Sequence, residues 1–309
     1  MQIKKVAILG AGAIGGYLIW GLNDKLKDNL CVVAKGDRAE RIKTNGIIIN
    51  EKKYFPVVKS PEQAKGADIL FVNVKGTALS DTLDDIKEVV TENTIVVSLL
   101  NGVSSEEIIG QKIGMEHMLY SLIRINSERI GNEIKFDGET APGIYIGEKN
   151  IYKPTERVEA VIDLFKDTGV HITFKEDIIK AIWFKFVVNV SQNLPQAIVS
   201  VGCGSYEDSE HMKYIVKKLT EEVVAIAKAK GIDISQPDEV EGKSSPAKKT
   251  ARYSTLQDLD AKRHTEIDIF AGEMVRMSKE TGVETPFCDL TYHLIKVLEE
   301  KNDGLFDYQ

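Results

Sequence analysis

Near its amino terminus the chain runs an apolar stretch, Lys5-Val6-Ala7-Ile8-Leu9, directly into Gly10-Ala11-Gly12-Ala13-Ile14-Gly15-Gly16. No other segment constrains the fold as strongly. Gly10, Gly12 and Gly15 keep the spacing of a strand-to-helix turn that lets backbone approach a pyrophosphate and lets the next helix pack closely on the strand. Ile14, Leu18, Ile19 and Leu22 continue with broadly helical spacing, and Leu30-Cys31-Val32-Val33-Ala34 supplies a second strand. The strand–helix–strand unit presents free N–H groups and a positive dipole end to phosphate. Gly10, Ala11, Gly12, Ala13, Ile14 and Gly15 are therefore the expected dinucleotide cradle.

The residues at the end of the second strand bear on which dinucleotide is taken. An acidic residue about 20 residues beyond the glycines binds the ribose 2′-hydroxyl of NAD. Here the sequence is Ala34-Lys35-Gly36-Asp37-Arg38. Lys35 and Arg38 suit a 2′-phosphate, because charge-assisted bonds to phosphate are the strong kind. Their alternative is two solvated surface cations, and Asp37 can instead cap the next helix. NADP(H) is the expected cofactor.

The remaining first half alternates strands and helices, which implies a parallel, doubly wound sheet. A hairpin is expected over 46–50 and 54–58, and strands over 67–75, 94–100, 118–125, 133–136, 144–147 and 171–174. A helix over 155–166 is opened by Pro154. From 177 onward long periodic stretches predict helices over 177–198, 209–230, 255–281 and 286–300, while the polar 231–252 reads as a loop. The expected organisation is an α/β Rossmann-type domain over 1–175 and an all-helical domain over 176–309. With 309 residues, 43% hydrophobic and 28% charged, the chain is long enough for two such cores. A net charge of −7 with no dense basic stretch argues against nucleic acid. Cys31, Cys203 and Cys288 are odd in number and far apart, so neither a disulfide framework nor a cysteine-rich metal site is expected. The five histidines are scattered, and no metal is expected. The opening strand reads as part of the fold rather than a secretory leader, and no apolar run approaches membrane-spanning length. A cytoplasmic protein with no membrane partner is expected.

Three places outside the glycine loop can carry chemistry. Trp183-Phe184-Lys185-Phe186-Val187-Val188-Asn189-Val190-Ser191-Gln192-Asn193 spaces Lys185, Asn189 and Asn193 by four, which predicts one helix face. A lysine among such apolar neighbours needs a partner or a task, although it can also snorkel to the surface. Ser254 can cap a helix or donate to a carboxylate held at the same helix end. Glu266 lies about three turns further on, with a surface ion pair as its plain alternative. Lys75 and Asn101 each follow a sheet strand, and the carboxyl ends of such strands are where ligands bind.

These pieces resemble, in order and over nearly the whole chain, the ketopantoate reductase family. The resemblance is carried by GAGAIGG at 10–16, by Asn101-Gly102 in LLNGVS, and by the W-x-K-x-x-x-N-x-x-x-N pattern from Trp183 to Asn193. STLQDL at 254–259, RHTEID at 263–268 and TGVETP at 281–286 complete it. It implies NADPH-dependent reduction of 2-dehydropantoate to (R)-pantoate, for pantothenate and coenzyme A synthesis. Lys185 resembles the general acid that protonates the C2 carbonyl oxygen. Asn189, Asn193 and Ser254 resemble substrate-holding residues, and Asn101 and Glu266 resemble positions beside the nicotinamide ribose and the reacting centre. A paralogue reducing another small 2-oxo acid, or an NADP-binding regulator without turnover, are the other readings, and a homodimer is left open.

Three departures from the family pattern stand out. Lys35 replaces the usual arginine and keeps the charge without the bidentate geometry. In Asn193-Leu194-Pro195-Gln196-Ala197, Pro195 removes an N–H and crowds the carbonyl of Ser191, which predicts a kink that turns Asn193. Cys203-Gly204-Ser205-Tyr206 stands where the family often has Asn-Gly-Glu-Leu, close to the part of the fold that faces substrate.

Overall fold

The computed structural model describes residues 2–130, 133–235, 248–306 and 308, and the chain divides into two compact units, Met1–Ile178 and Ile179–Gln309. Of the expected loop at 231–252, residues 236–247 lie outside the described residues.

The first unit runs β1 (Val6–Leu9), α1 (Ala13–Leu26), β2 (Leu30–Val33), α2 (Gly36–Asn45), β3 (Ile47–Ile49), β4 (Lys52–Tyr54), β5 (Val57–Lys59), α3 (Pro61–Ala64), β6 (Ile69–Val72), α4 (Leu79–Val89) and β7 (Ile95–Ser98). It continues through α5 (Ser105–Ile113), β8 (Met118–Arg124), β9 (Ser127–Ile130), β10 (Glu133–Phe136), β11 (Gly143–Gly147), α6 (Glu156–Leu164) and β12 (Ile172–Phe174). Eight strands form one sheet in the order β12-β11-β8-β7-β6-β1-β2-β5, parallel throughout except where β11 runs against β8. Alternation within the strands divides the core in two. Ile8, Val32, Phe71 and Val97 pack with α1 and α6, whereas Ala7, Leu9, Val33, Val72 and Val96 pack with α4 and α5. A strand covered on both faces has no polar side to show, which is why these segments read as unbroken apolar runs.

The expected hairpin is present but shorter. Ile47 pairs with Tyr54, and then the chain leaves through Phe55-Pro56 so that Val57–Lys59 joins the large sheet beside β2. Pro56 cannot donate to a ladder, and it separates two strands that alternation alone had merged. A second, four-stranded sheet, β4-β3-β10-β9, packs against α1, with the Phe136 ring 5.2 Å from Tyr17 and 5.5 Å from Trp20.

The second unit is helical. Its elements are α7 (Ile178–Val188), a π-helical turn (Asn189–Asn193), α8 (Leu194–Val199), α9 (Ser205–Asp208), α10 (Glu210–Ala229), α11 (Ser254–Asp260), α12 (Ala271–Thr281) and α13 (Pro286–Asn302). Two of the expected long helices are thus interrupted. Pro195 has no N–H to donate to the Ser191 carbonyl, and the wider π turn ends two residues before it. The stretch 255–281 breaks after Asp260, where Lys262 adopts φ +51 and the Arg263 N–H returns to the Asp258 carbonyl at 2.8 Å. Glu222 of α10 accepts the N–H groups of Phe287 and Cys288, both at 2.8 Å, and so caps α13. Among the described residues no helix is long and apolar enough to cross a membrane.

Candidate functional site

In the first unit the strand order assembles the candidate residues. β2, β1, β6 and β7 are neighbours in that order, and the segments leaving their carboxyl ends carry Lys35, the glycine loop, Lys75 and Asn101 in turn. Four segments that the sequence spreads over some 90 positions (101 against 10) are therefore adjacent.

Each glycine in the loop does a different job. Gly10 has φ +100, and a Cβ there would lie 2.6 Å from the Asn73 carbonyl group. A Cβ on Gly15 would lie 2.0 Å from the Gly10 carbonyl oxygen, so only glycine lets α1 start this close to β1. Around Gly12 a Cβ would meet nothing within 4 Å. Gly12 is also the N-cap of α1, with no side-chain cap and no acidic residue in the first turn. Open space and uncapped N–H groups fit a bound pyrophosphate. Beside the loop, the carboxamide oxygen of Asn73, one residue past β6, is buried without a hydrogen-bond partner, a second feature that suits a polar ligand at this edge.

Lys35, two residues past β2, is the N-cap of α2, and Arg38 lies in the first turn of that helix. Asp37 is also in the first turn but does not cap it. Lys35 Nζ is 2.5 Å from Asp85 Oδ1 on α4. That hydrogen bond, with the charges of Asp85, Glu62 and Asp84, holds the ammonium above its ordinary range.

The loop bearing Asn101 is tied at its base. Ser98 Oγ and Ser105 Oγ, one on either side of it, are 2.7 Å apart, and Ser105 donates to Glu106 Oε2 at 2.8 Å. The Ser121 N–H of β8 reaches Glu106 Oε1 at 3.4 Å, and the Ser121 hydroxyl donates to the Ser98 carbonyl. Burial pushes the Glu106 carboxyl up to about 7, with Glu107 adding to the rise and the Ser105 and Ser121 bonds opposing it.

In the second unit Lys185 lies on α7 and Asn189 opens the π turn, both half-buried. Asn193 closes the same π turn. Asn193 is only 2% exposed and is turned to α11. Its Nδ2 donates to Ser254 Oγ at 3.2 Å, and its Oδ1 accepts the Thr255 N–H at 3.1 Å. Asn193, rather than Ser254, thus caps α11: Tyr253 is the N-cap residue and Ser254 the first helical residue. Gln196, fully buried, extends the tie by accepting the Tyr253 N–H at 2.6 Å and donating to the Ala251 carbonyl at 3.2 Å. Tyr206 and Tyr253 flank Gln192, donating to its main-chain and side-chain oxygens at 2.8 and 3.0 Å.

Glu266 is not on a helix. It precedes a short 3-10 turn at Ile267–Ile269. Its neighbour Thr265 is held by the buried Glu299 of α13, through N–H at 2.7 Å and Oγ1 at 2.6 Å, while Lys296 and Tyr292 hold Asp268 at 2.9 and 3.0 Å. Those contacts replace helical hydrogen bonds, which is why periodicity misled there. Gln196 and Glu299 had no sequence signal, since each acts through a partner distant in the chain, and Glu106 had none because its burial comes from the tertiary packing.

A parallel sheet whose first strand enters a glycine turn and an uncapped helix defines a Rossmann-type domain, here followed by a helical region. Comparison with known proteins narrows this. The chain belongs to the ketopantoate reductase family: the model described as ketopantoate reductase PanE/ApbA matches residues 6–150, and that of the PanE/ApbA C terminus matches residues 177–299. A 2-dehydropantoate 2-reductase of Pyrococcus horikoshii is 30% identical, over 97% of this chain and 99% of the relative. Among solved structures, a PanE/ApbA family ketopantoate reductase from Ralstonia eutropha superposes with TM-score 0.81 at 23% identity, covering 97% of this chain and 99% of the other. D-mandelate dehydrogenase in a ternary structure with NADH and anilino(oxo)acetate matches equally well, at TM-score 0.81, 22% identity and the same coverage. The curated relative is thus a reductase, and the structural likeness, at 22–23% identity, shows the shared fold.

Proposed function

We propose that this chain reduces 2-dehydropantoate to (R)-pantoate with NADPH in the cytoplasm. The domain at 1–175 holds the cofactor, and that at 176–309 supplies substrate-holding and catalytic groups. The observation that carries the reading is the Asn193–Ser254 bond. It joins the lysine–asparagine helix to the STLQDL segment, two motifs 61 positions apart, in one polar cluster.

When bound, the nicotinamide supplies hydride to C2 of the oxo acid. The chain's own groups do the rest. Lys185 carries a proton at Nζ, stabilises the charge that develops on the carbonyl oxygen, and passes the proton to it. Asn189 and Ser254 hold the hydroxyl and carboxylate ends, fixing the carbonyl for attack. Asn193 keeps Ser254 in place, so its own part is positioning as well as binding. Asn101 and Glu266 flank the ribose and the reacting centre. The glycine loop holds the pyrophosphate, with Lys35, Arg38 and Lys75 as the cations around the cofactor.

A panel assay tests this: NADPH oxidation monitored with 2-dehydropantoate and with other small 2-oxo acids. The expected result is the highest kcat/KM with 2-dehydropantoate. A better acid would favour the second reading, a paralogue of different specificity, for which the Tyr206 and Tyr253 rings, 6.4 Å apart beside the Cys203–Tyr206 departure, are the specific observation. No oxidation with any acid would point to a regulator.

A further inference from the structure

Lys35, one of the two cations expected to select the cofactor, is already held by an anion. Lys35 Nζ turns to Asp85 on α4 at 2.5 Å, and the pair is partly solvent-exposed, at 52% and 23%. Asp84 has its own cation, Lys112 at 2.7 Å, so Asp85 is the carboxylate that holds Lys35 directly. The backbone of Lys35 lies at the carboxyl end of β2, beside the glycine loop at the end of β1. Gly36 comes next, with φ +53 and open space around its Cβ position. An ion pair this exposed adds little to folding stability. Its consequence falls on what else Lys35 can bind.

We propose that Asp85 is a specificity residue that lowers the preference of the site for NADPH over NADH, by competing with a 2′-phosphate for the Lys35 ammonium. The inference rests on the reading of the glycine loop as a nicotinamide dinucleotide site. A ribose phosphate carries between one and two negative charges near neutral pH. For Lys35 to meet it, the Asp85 contact must open, and the phosphate must approach a carboxylate of like charge. A 2′-hydroxyl meets neither obstacle. Asp85 therefore weakens one cofactor and leaves the other nearly untouched.

Titrating NADPH and NADH against Asp85→Asn, with binding read by nucleotide fluorescence and by the shift in melting temperature, tests the inference without reference to turnover. NADPH affinity should rise about threefold to fivefold, the range an exposed ion pair supports, with NADH affinity within twofold of the unsubstituted protein. Asp84→Asn should move the ratio less, because Lys112 already neutralises that group. In a Lys35→Ala background the gain from Asp85→Asn should shrink. A ratio unchanged by Asp85→Asn, or both affinities moving together, overturns the proposal. So does a selective loss of NADH affinity, which would make Asp85 a partner of the ribose hydroxyl. If the unsubstituted protein binds neither cofactor, the dinucleotide reading falls and this inference with it.

Discussion

The two units solve the same problem, placing polar groups on an apolar frame, by opposite means. In the first, order comes from the backbone. Parallel pairing sets β2, β1, β6 and β7 side by side, so the segment leaving each strand arrives at one edge. In the second, side chains set the order. Asn193 holds α11, Gln196 holds Tyr253, Glu299 holds Thr265 and Glu222 holds α13, each across 34 or more positions of chain. A site made by pairing tolerates exchange of most side chains. A site made by buried amides and carboxylates does not, since a lost partner leaves a buried polar group unsatisfied.

Substitutions can break that contrast, and the largest effect belongs to chemistry in the helical unit. Lys185→Ala should lower kcat with 2-dehydropantoate by about a thousandfold, within the span of general acid catalysis. NADPH affinity, measured by fluorescence titration, should stay within about twofold. Equal loss of both would remove Lys185 from the proton-transfer role.

A buried carboxyl in the sheet unit comes next. Glu106 titrates near 7 when folded and near its ordinary 4.5 when unfolded, so the native state binds the extra proton between those values. Stability owed to this group is highest below about pH 4.5, falls as pH rises to about 7, and is level above; the total is about 3 kcal/mol. Glu106→Gln should flatten that decline and melt higher than the parent at pH 8. Denaturation curves for the two proteins that run parallel from pH 5 to pH 8 would show that Glu106 is not the titrating group.

Asn193→Ala should destabilise the protein by about 1–2 kcal/mol, the worth of a helix N-cap, and raise KM for the oxo acid more than KM for NADPH. Denaturant titration and steady-state kinetics check both parts. An unchanged KM for the acid would confine Asn193 to a structural role. The smallest effect on stability belongs to Gly12→Ala, whose Cβ meets nothing within 4 Å. Its melting temperature should stay within about 2 °C of the parent while dinucleotide affinity falls; Gly15→Ala, whose Cβ meets the Gly10 carbonyl at 2.0 Å, should lose both.

Local sequence was a good guide wherever neighbours in the chain decide conformation. The glycine spacing marked the strand-to-helix turn, alternation of apolar strands and helices marked the doubly wound sheet, and Pro195 marked the helix disturbance that takes the form of a π turn just before it. It misled where a distant group intervened. The 255–281 periodicity was real, yet Glu299 captures Thr265 and Asp258 captures Arg263, so Glu266 emerges from an irregular segment rather than a helix. The hairpin is shorter than expected for a similar reason, because β5 pairs with β2 rather than with β3.

By itself, the sequence determined the class of the protein: a Rossmann-type sheet unit, a helical unit, and motifs that mark the ketopantoate reductase family. Those depend on spacing and burial pattern, which short stretches carry in full. The tertiary structure alone decided that Asn193 faces Ser254, that burial raises the Glu106 carboxyl at the base of the Asn101 loop, and that Lys35 already has Asp85 as its counter-ion. Electrostatics and hydrogen bonding act over a few ångströms of space, and the groups they join here lie 50 and 61 residues apart along the chain.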